Sequence, residues 1–350
     1  MAPTPALKNS RMGFKIALMS MSKRVVHIAR GHTPLPIKNG LNPSRARVPE
    51  EFDGISALDF LWHLISTQRR RNPSDDISAA RSRFNADEVL VTSGHRGWVI
   101  GPTTPLEAGQ DLWFYRTPLE EPEVPFSCSI LFENDRILVV NKPPFLATMP
   151  RGTHITQTAT VQMRRSTGIE DLAPAHRLDR LTSGILVFTK ERKYRGAYQT
   201  LFAERKAKKT YEAIAQSDST LVPGTHWRHR MEKIAGVMQA SIIDGEPNAE
   251  TVLVDQQILS PSDQERLQKA HGVDYDLARY TLAPLTGKTH QLRLHMFTAG
   301  VPILGDPAYP ILLPDVPDDF TKRMHLHARS LTFIDPYSDE PVEFCAGDVW

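Results

Sequence analysis

His176-Arg-Leu-Asp-Arg-Leu-Thr-Ser-Gly-Ile-Leu-Val-Phe-Thr189 decides how the chain is read, because a polar, charged turn runs straight into an unbroken β-prone run. Gly184 marks the junction. The run reads as a buried strand, so the turn before it is anchored at one end to a core. Asp179 lies in that turn between Arg177 and Arg180. A carboxylate in such company is either half of a solvated ion pair, worth about 0–1 kcal/mol, or a fixed ionised group competent as nucleophile or base, since neighbouring guanidinium groups favour its charged form.

Moving outward, Tyr194, Ala197, Tyr198, Leu201 and Phe202 recur at helical spacing, and Lys209-Thr-Tyr-Glu-Ala-Ile-Ala215 alternates as a strand does. The stretch from Lys190 to Lys209 holds eight Lys or Arg against two Glu, in a chain whose formal net charge is only +2. Such a run is often a solvated helix face. Interleaved with Tyr194, Tyr198 and Tyr211, it also suits a polynucleotide backbone and its bases. Further on, Thr289-His-Gln-Leu-Arg-Leu-His-Met-Phe-Thr-Ala299 reads as a helix closed by Gly300, and Ser330-Leu-Thr-Phe-Ile334 as a strand. Residues 216–240 and 255–275 are polar and irregular, which predicts loops or insertions.

The chain has 350 residues, with 42 Lys or Arg, 40 Asp or Glu, 40% apolar residues, 27 Pro and 2 Cys. This balance excludes a histone-like coat for polyanions, and the length suggests about two domains of roughly 150 residues each. Cys128 and Cys345 stand too far apart in the chain for a C-x-x-C pair and are too few for a disulfide framework. No run approaches the roughly 18 apolar residues of a membrane span, so a cytoplasmic protein with no membrane partner is expected.

Residues 1–50 are basic and Pro-rich and predict a partly flexible arm. Residues 51–117 predict a small α/β module, with helical spacing from Ala57 and short strands at Glu88-Val-Leu-Val91, Gly97-Trp-Val-Ile100 and Asp111-Leu-Trp-Phe-Tyr115. The acidic, Pro-rich residues 118–127 read as a linker. From 128 to 350 the pattern is that of a second, larger domain, opening with the strand Ile137-Leu-Val-Val140 stopped by Asn141-Lys-Pro-Pro144.

Several common motifs fail on inspection. Thr286-Gly-Lys-Thr289 lacks the earlier glycine of a phosphate-binding P-loop, where Leu282 stands instead. No G-x-G-x-x-G opens a helix, no H-E-x-x-H occurs, and Ser183 lacks the G-x-S-x-G elbow. His290 and His295 would point about 140° apart on a helix. His325 and His327 share a strand face without an evident third ligand, so no metal site is expected.

The segment His176-Arg-Leu-Asp-Arg-Leu-Thr-Ser-Gly184 resembles the H-R-L-D-x-x-T-S-G signature of RluA-type pseudouridine synthases. Further segments similar to that family follow in order: Ile137-Leu-Val-Val-Asn-Lys-Pro143, Lys209-Thr-Tyr-Glu-Ala213, Leu285-Thr-Gly-Lys-Thr-His-Gln-Leu-Arg-Leu-His295, Pro302-Ile-Leu-Gly-Asp-Pro307 and Leu326-His-Ala-Arg-Ser-Leu331. The resemblance implies an α+β fold with a mixed, mostly antiparallel central sheet. It also implies a cofactor-free isomerase that converts uridine in RNA, ribosomal RNA favoured and transfer RNA next, to pseudouridine.

By the same resemblance Asp179 is the catalytic aspartate, Tyr211 the tyrosine over the uracil, and Arg293 the basic partner of the aspartate. Lys288 is a weaker candidate for that partner or for a phosphate contact. Because a uracil inside folded RNA must be everted, Arg177 is the expected wedge, with His176 and Arg180 touching phosphate or neighbouring bases. Lys190, Arg192, Lys193, Lys208, Lys209 and His290 complete the expected RNA-binding set. Residues 55–116 resemble a degenerate version of the small ribosomal-protein-type RNA-binding domain that many relatives carry. The protein is expected to act as a monomer. The alternatives are a catalytically silent RNA-binding or ribosome-assembly protein and, more remotely, a metal-dependent phosphohydrolase.

Overall fold

The computed structural model describes residues 25–28, 32–314 and 317–347, and the chain divides into two compact units. The first comprises residues up to Pro36 together with Pro43–Thr117. Its five-stranded sheet, in the order β1-β4-β3-β5-β2, is antiparallel throughout and is formed by β1 (Val25–His27), β2 (Ser44–Arg47), β3 (Leu90–Ser93), β4 (Arg96–Val99) and β5 (Asp111–Phe114). Helix α1 (Ala57–Ser66) is capped by Ser56, whose hydroxyl accepts from the Asp59 amide, and it buries Leu58, Phe60, Leu61 and Ile65 against the sheet residues Val91, Leu112 and Phe114. Helix α2 (Ile77–Asn85) is capped in the same way by Asp76.

The expected basic arm therefore contributes two strands. Arg45 and Arg47 lie on one side of β2 and both reach Asp111 on β5, at 2.8 and 2.9 Å, so the two cations share one carboxylate across the strand pair. Residues 1–24, where the rest of that arm was expected, lie outside the described residues.

The second unit comprises residues 37–42 and 118–350. The expected linker belongs to it. Glu121 accepts hydrogen bonds from the backbone of Ile155 and Thr156 and from the Thr156 hydroxyl, and Gln162 brackets Phe126 and Cys128. The strands are β6 (Ser129–Glu133), β7 (Ile137–Lys142), β8 (Ala173–Pro174), β9 (Ser183–Thr189), β10 (Lys208–Gln216), β11 (His226–Glu232), β12 (Ser241–Ile243), β13 (Ala249–Ile258), β14 (Leu277–Pro284), β15 (Leu326–Ile334) and β16 (Pro341–Cys345). They form one sheet in the order β12-β11-β13-β14-β10-β15-β9-β7-β6, with β16 beside β15 and β8 beside β9. Among the described strands only the β15–β9 pair is parallel, so the fold is α+β with a mixed, mostly antiparallel sheet.

Helices α3 (Ala159–Thr167), α4 (Arg192–Ala203), α5 (Pro261–His271) and α6 (Gln291–Thr298) divide between the two faces of this sheet. The period of two along each strand decides which face each helix covers. Leu138, Val140, Leu186 and Phe188 pack with Met163 of α3, and Ala213, Ala215, Tyr280 and Leu282 with Leu292 and Met296 of α6. Their neighbours in sequence, Ile137, Val139, Ile185 and Val187, pack with Tyr198 and Leu201 of α4, while Ile214 and Leu277 pack with Leu267 of α5. The α3/α6 side is called the front face below, and the α4/α5 side the back face.

Two stretches expected as irregular are regular. In β11 the buried Trp227 and Met231 alternate with exposed charged residues that mask the strand signal, and α5 starts at a Ser260 cap followed by Pro261. Helix α6 begins at Gln291, after His290 in a left-handed conformation (φ 59°), and not at Thr289.

Candidate active site

Asp179 is aimed by the residues around it. Leu178 and Leu181 are buried in separate clusters on the front face, which leaves the Asp179 side chain 30% exposed between them. The Thr148 hydroxyl donates to the Leu178 carbonyl at 2.8 Å and accepts from its amide at 3.1 Å, while Thr182 N–H donates to the Asp179 carbonyl at 3.1 Å. Lys142 is wholly buried at the end of β7 and donates to the carbonyls of Pro143, Leu146 and Arg180. Burial pushes its ammonium down to about 7, partly opposed by the Asp179 charge.

Gly184 has φ 112°, and a Cβ there would lie 2.4 Å from the Ala328 carbonyl oxygen, so the T-S-G segment is where β9 comes close against β15.

Arg293 projects from α6 and is 6% exposed. Its Nε and Nη2 each donate to Asp306 at 2.7 Å, a bidentate pair that fixes the guanidinium plane. The remaining Nη1 stands 3.6 Å from Asp179 Oδ2. Asp306 is itself oriented by the Ala308 and Tyr309 amides. His290 brings Nε2 to 3.9 Å from the same Asp179 oxygen and Nδ1 to 3.1 Å from the Tyr309 hydroxyl. Burial and the Arg293 charge lower the His290 pKa, which favours the neutral imidazole. Tyr309 also lies under the Arg293 guanidinium, 5.4 Å from ring centroid to Cζ.

Tyr211 reaches this centre because of a bulge. Between Thr210 and Tyr211 the pairing with β15 shifts by one residue, so Lys209 opposes Leu331 of the back-face cluster whereas Tyr211 opposes Ala328 of the front-face cluster. Burial and the nearby Asp179 charge push the Tyr211 phenol well above its ordinary pKa and keep it protonated.

The structure thus brings Asp179, Tyr211, Arg293 and His290 together on the front face. It places other expected RNA contacts elsewhere. His176 turns to the back face, where its ring packs 4.3 Å from Phe202 and Nε2 accepts from the Val187 amide; burial lowers its pKa strongly. Lys209 is also on that side, over Phe202. The run from Lys190 lies on or beside α4, behind the sheet, and five of its eight cations are paired, in Lys190–Glu133, Arg192–Asp171, Arg195–Asp171, Lys193–Glu191 and Lys206–Glu204. Lys190, Arg192, Lys193 and Lys209, expected among the RNA contacts, thus stand behind the sheet that carries Asp179 on its front, although they are close to it in sequence.

Arg180 pairs with Asp318 at 2.6 and 3.0 Å rather than with Asp179. Arg177 is exposed at the turn, and Lys208 and Lys288 are exposed on the surface. Lys288 rides on a loop stapled by Gln291, whose amide side chain bonds Thr286, the Lys288 amide, the Glu250 carbonyl and Thr251. His295 is a buried structural group on Thr251, its pKa lowered to about 4 by burial.

Sequence reasoning missed Asp306, Tyr309 and Lys142 as members of the site. The segments Pro302–Pro307 and Asn141–Pro143 carried the signal, an acid and a lysine inside apolar runs.

A family model described as RNA pseudouridylate synthase matches residues 136–297, a span containing Asp179, Tyr211 and Arg293. The dual-specificity RNA pseudouridine synthase RluA of Haemophilus influenzae is 31% identical over 233 residues, covering 66% of this chain and 96% of that protein. The protein of the same name from Escherichia coli is 31% identical over 217 residues, covering 62% and 91%. Among solved structures, human RNA pseudouridylate synthase domain containing 1 is 26% identical with a TM-score of 0.49, covering 65% of this chain and 86% of that one. With the identity to the Haemophilus protein running over nearly that protein's whole length, the chain belongs to the RluA-type RNA pseudouridine synthases and is an isomerase acting on RNA.

Proposed function

We propose that the chain isomerises specific uridines in structured ribosomal or transfer RNA, with Asp179 as the catalytic carboxylate. The observation that carries this reading is the 3.6 Å approach of Arg293 to Asp179 while two hydrogen bonds to Asp306 hold the same guanidinium still. A rigid cation beside a partly exposed carboxylate keeps that carboxylate aimed at whatever enters the front face. In the reaction the N1–C1′ bond breaks, C5 bonds to C1′, C5 loses its proton and N1 gains one, so no electron is exchanged with an outside group. Asp179 supports the departure of uracil from the sugar. Tyr211, protonated and half-buried, lies over the released ring and stays within reach of its protons.

Reaching a uridine inside folded RNA costs a few kcal/mol of unstacking. Exposed Arg177, two residues before Asp179, fills the gap that the everted base leaves. Relatives named as dual-specificity enzymes favour testing both RNA classes. The protein acts as a monomer, the unit that ends at Thr117 serving as a reduced RNA-binding module and the unit that contains residues 118–350 as the catalytic one.

Asp179→Asn tests the reading. The variant is expected to bind substrate RNA as the parent does and to yield no pseudouridine in carbodiimide mapping, whereas turnover at the parental rate overturns the assignment. Mapping pseudouridine across all stable RNAs with and without the gene identifies the target.

A further inference from the structure

We propose, resting on Asp179 as the catalytic carboxylate, that Tyr309 and His290 are positioning residues for the isomerisation. The Tyr309 hydroxyl donates to His290 Nδ1, which fixes the imidazole with its proton on Nε2. That N–H and the Arg293 guanidinium together hold one oxygen of Asp179, and the other oxygen is left to the substrate.

Tyr309 Oη has three hydrogen-bond neighbours among the described residues: the Ala240 amide at 2.8 Å, the Ala240 carbonyl oxygen at 3.3 Å and His290 Nδ1 at 3.1 Å. The amide can only donate and the carbonyl only accept, so the single hydroxyl hydrogen goes to the carbonyl or to the imidazole nitrogen. In the first case Nδ1 would carry the ring proton and turn a bare Nε2 lone pair toward the Asp179 carboxylate, 3.9 Å away. In the second the Nε2–H dipole points at that carboxylate, and the hydroxyl takes the shorter of its two contacts. Electrostatics selects the second arrangement. Nδ1 can accept only in a neutral ring. Burial, and after it the Arg293 and Lys233 charges, disfavour the imidazolium, against the opposing charges of Asp179 and Asp306.

The same acid steadies both groups that converge on Asp179. Asp306 fixes Arg293 with two hydrogen bonds and also accepts from the Tyr309 amide at 3.3 Å. Tyr309 itself is buried. Arg293 Nη1 at 3.6 Å and His290 Nε2 at 3.9 Å both approach Asp179 Oδ2, whereas no hydrogen bond or ion pair among the described residues engages Oδ1. His290 stands just before α6 in the left-handed region, at φ 59°, and its carbonyl accepts from the Leu294 amide at 2.9 Å. Gly or Asn would serve that backbone position at least as well, so the reach of the imidazole toward Asp179 is what His290 adds.

NMR of the full chain carrying isotope-labelled histidine reads the proton placement directly, the His290 signals being assigned by their loss in His290→Gln. A protonated Nε2 and a bare, hydrogen-bonded Nδ1 are expected in the parent, and in Tyr309→Phe the Nδ1 resonance should move to that of an unbonded acceptor. On a transcript carrying the target uridine, Tyr309→Phe should lower kcat by about threefold to tenfold, what one hydrogen bond is worth, with KM within about twofold of the parent. His290→Gln, whose longer amide can return an N–H near the Nε2 position, should retain more activity than His290→Asn. A residue kept only for the turn gives the opposite order, because Asn enters the left-handed region more readily. Circular dichroism checks the fold, and if Tyr309→Phe does not fold, the parent spectrum and the order of the two His290 variants carry the test. A protonated Nδ1 in the parent, His290→Asn as active as His290→Gln or more so, or an unchanged kcat in folded Tyr309→Phe overturns the proposal. Parental turnover in Asp179→Asn is a separate result, which removes the catalytic reading of Asp179 and with it the role of the pair.

Discussion

Arg293 holds Asp306 with two 2.7 Å hydrogen bonds and presents its remaining Nη1 to Asp179 at 3.6 Å. One buried guanidinium thus meets two carboxylates, and the first sets its geometry toward the second. Removing Asp306 leaves a buried cation with only the half-exposed Asp179 for company. Asp306→Ala is expected to destabilise the fold by about 3–5 kcal/mol and to slow isomerisation together with it. Replacing both residues, as Arg293→Met with Asp306→Leu, should recover most of the stability in urea denaturation without recovering turnover. Recovery of turnover would show that Arg293 serves the fold alone.

Gly184→Ala should be among the most damaging single-methyl changes in the chain. The added carbon meets Ala328 backbone atoms at 2.4 and 2.5 Å and adopts a φ that side chains avoid. A loss of about 2–4 kcal/mol is expected from strain and overpacking together. Because Gly184 ends the turn that holds Asp179, kcat should fall even at temperatures where the variant remains folded. An unchanged urea midpoint would contradict the close β9–β15 approach.

The pH dependence of stability should carry the mark of Lys142. Burial depresses its folded pKa to about 7, below that of the unfolded chain. Between about 7 and the ordinary lysine value near 10.4 the unfolded chain holds the proton more tightly, so stability rises with pH across that window and is flat below it with respect to this group. Urea midpoints at about pH 6 and about pH 9 should show this rise in the parent, and Lys142→Met should flatten it. Because Lys142 also ties the Arg180 carbonyl, the same variant should lose activity without losing any group that touches the substrate.

RNA affinity should depend on the front face more than on the basic run of α4. Arg177→Ala is expected to weaken binding and to reduce the salt slope by about one counterion. Neutralising Lys190, Arg192 and Lys193 together should leave the slope unchanged, since these cations are paired with acids behind the sheet. A strong effect of the triple change in filter-binding assays across a salt series would return that surface to the RNA interface.

Much of the second unit was legible from short-range pattern. The strand after Gly184, the helix over Tyr198 and Leu201 and the strand carrying Tyr211 all follow from local periodicity, because burial on one face repeats with the period of the element. Asp179, Tyr211 and Arg293 could be singled out because their surroundings in sequence resemble a family. Where local pattern was masked, as by the charged residues of β11 or the polar start of α5, the elements were read as loops.

Which residues face one another is a long-range matter, and only the tertiary structure decided it. A single bulge before Tyr211 sends that ring to the front of the sheet and Lys209 to the back. The sheet places α4 and its cations opposite Asp179, although only about a dozen residues of chain separate them. Asp306, thirteen residues beyond Arg293, becomes its closest partner. Sequence alone determined the kinds of element and the chemistry available. Strand order, register and the face each side chain joins arise from packing between distant segments, and these settled which charges meet and which are kept apart.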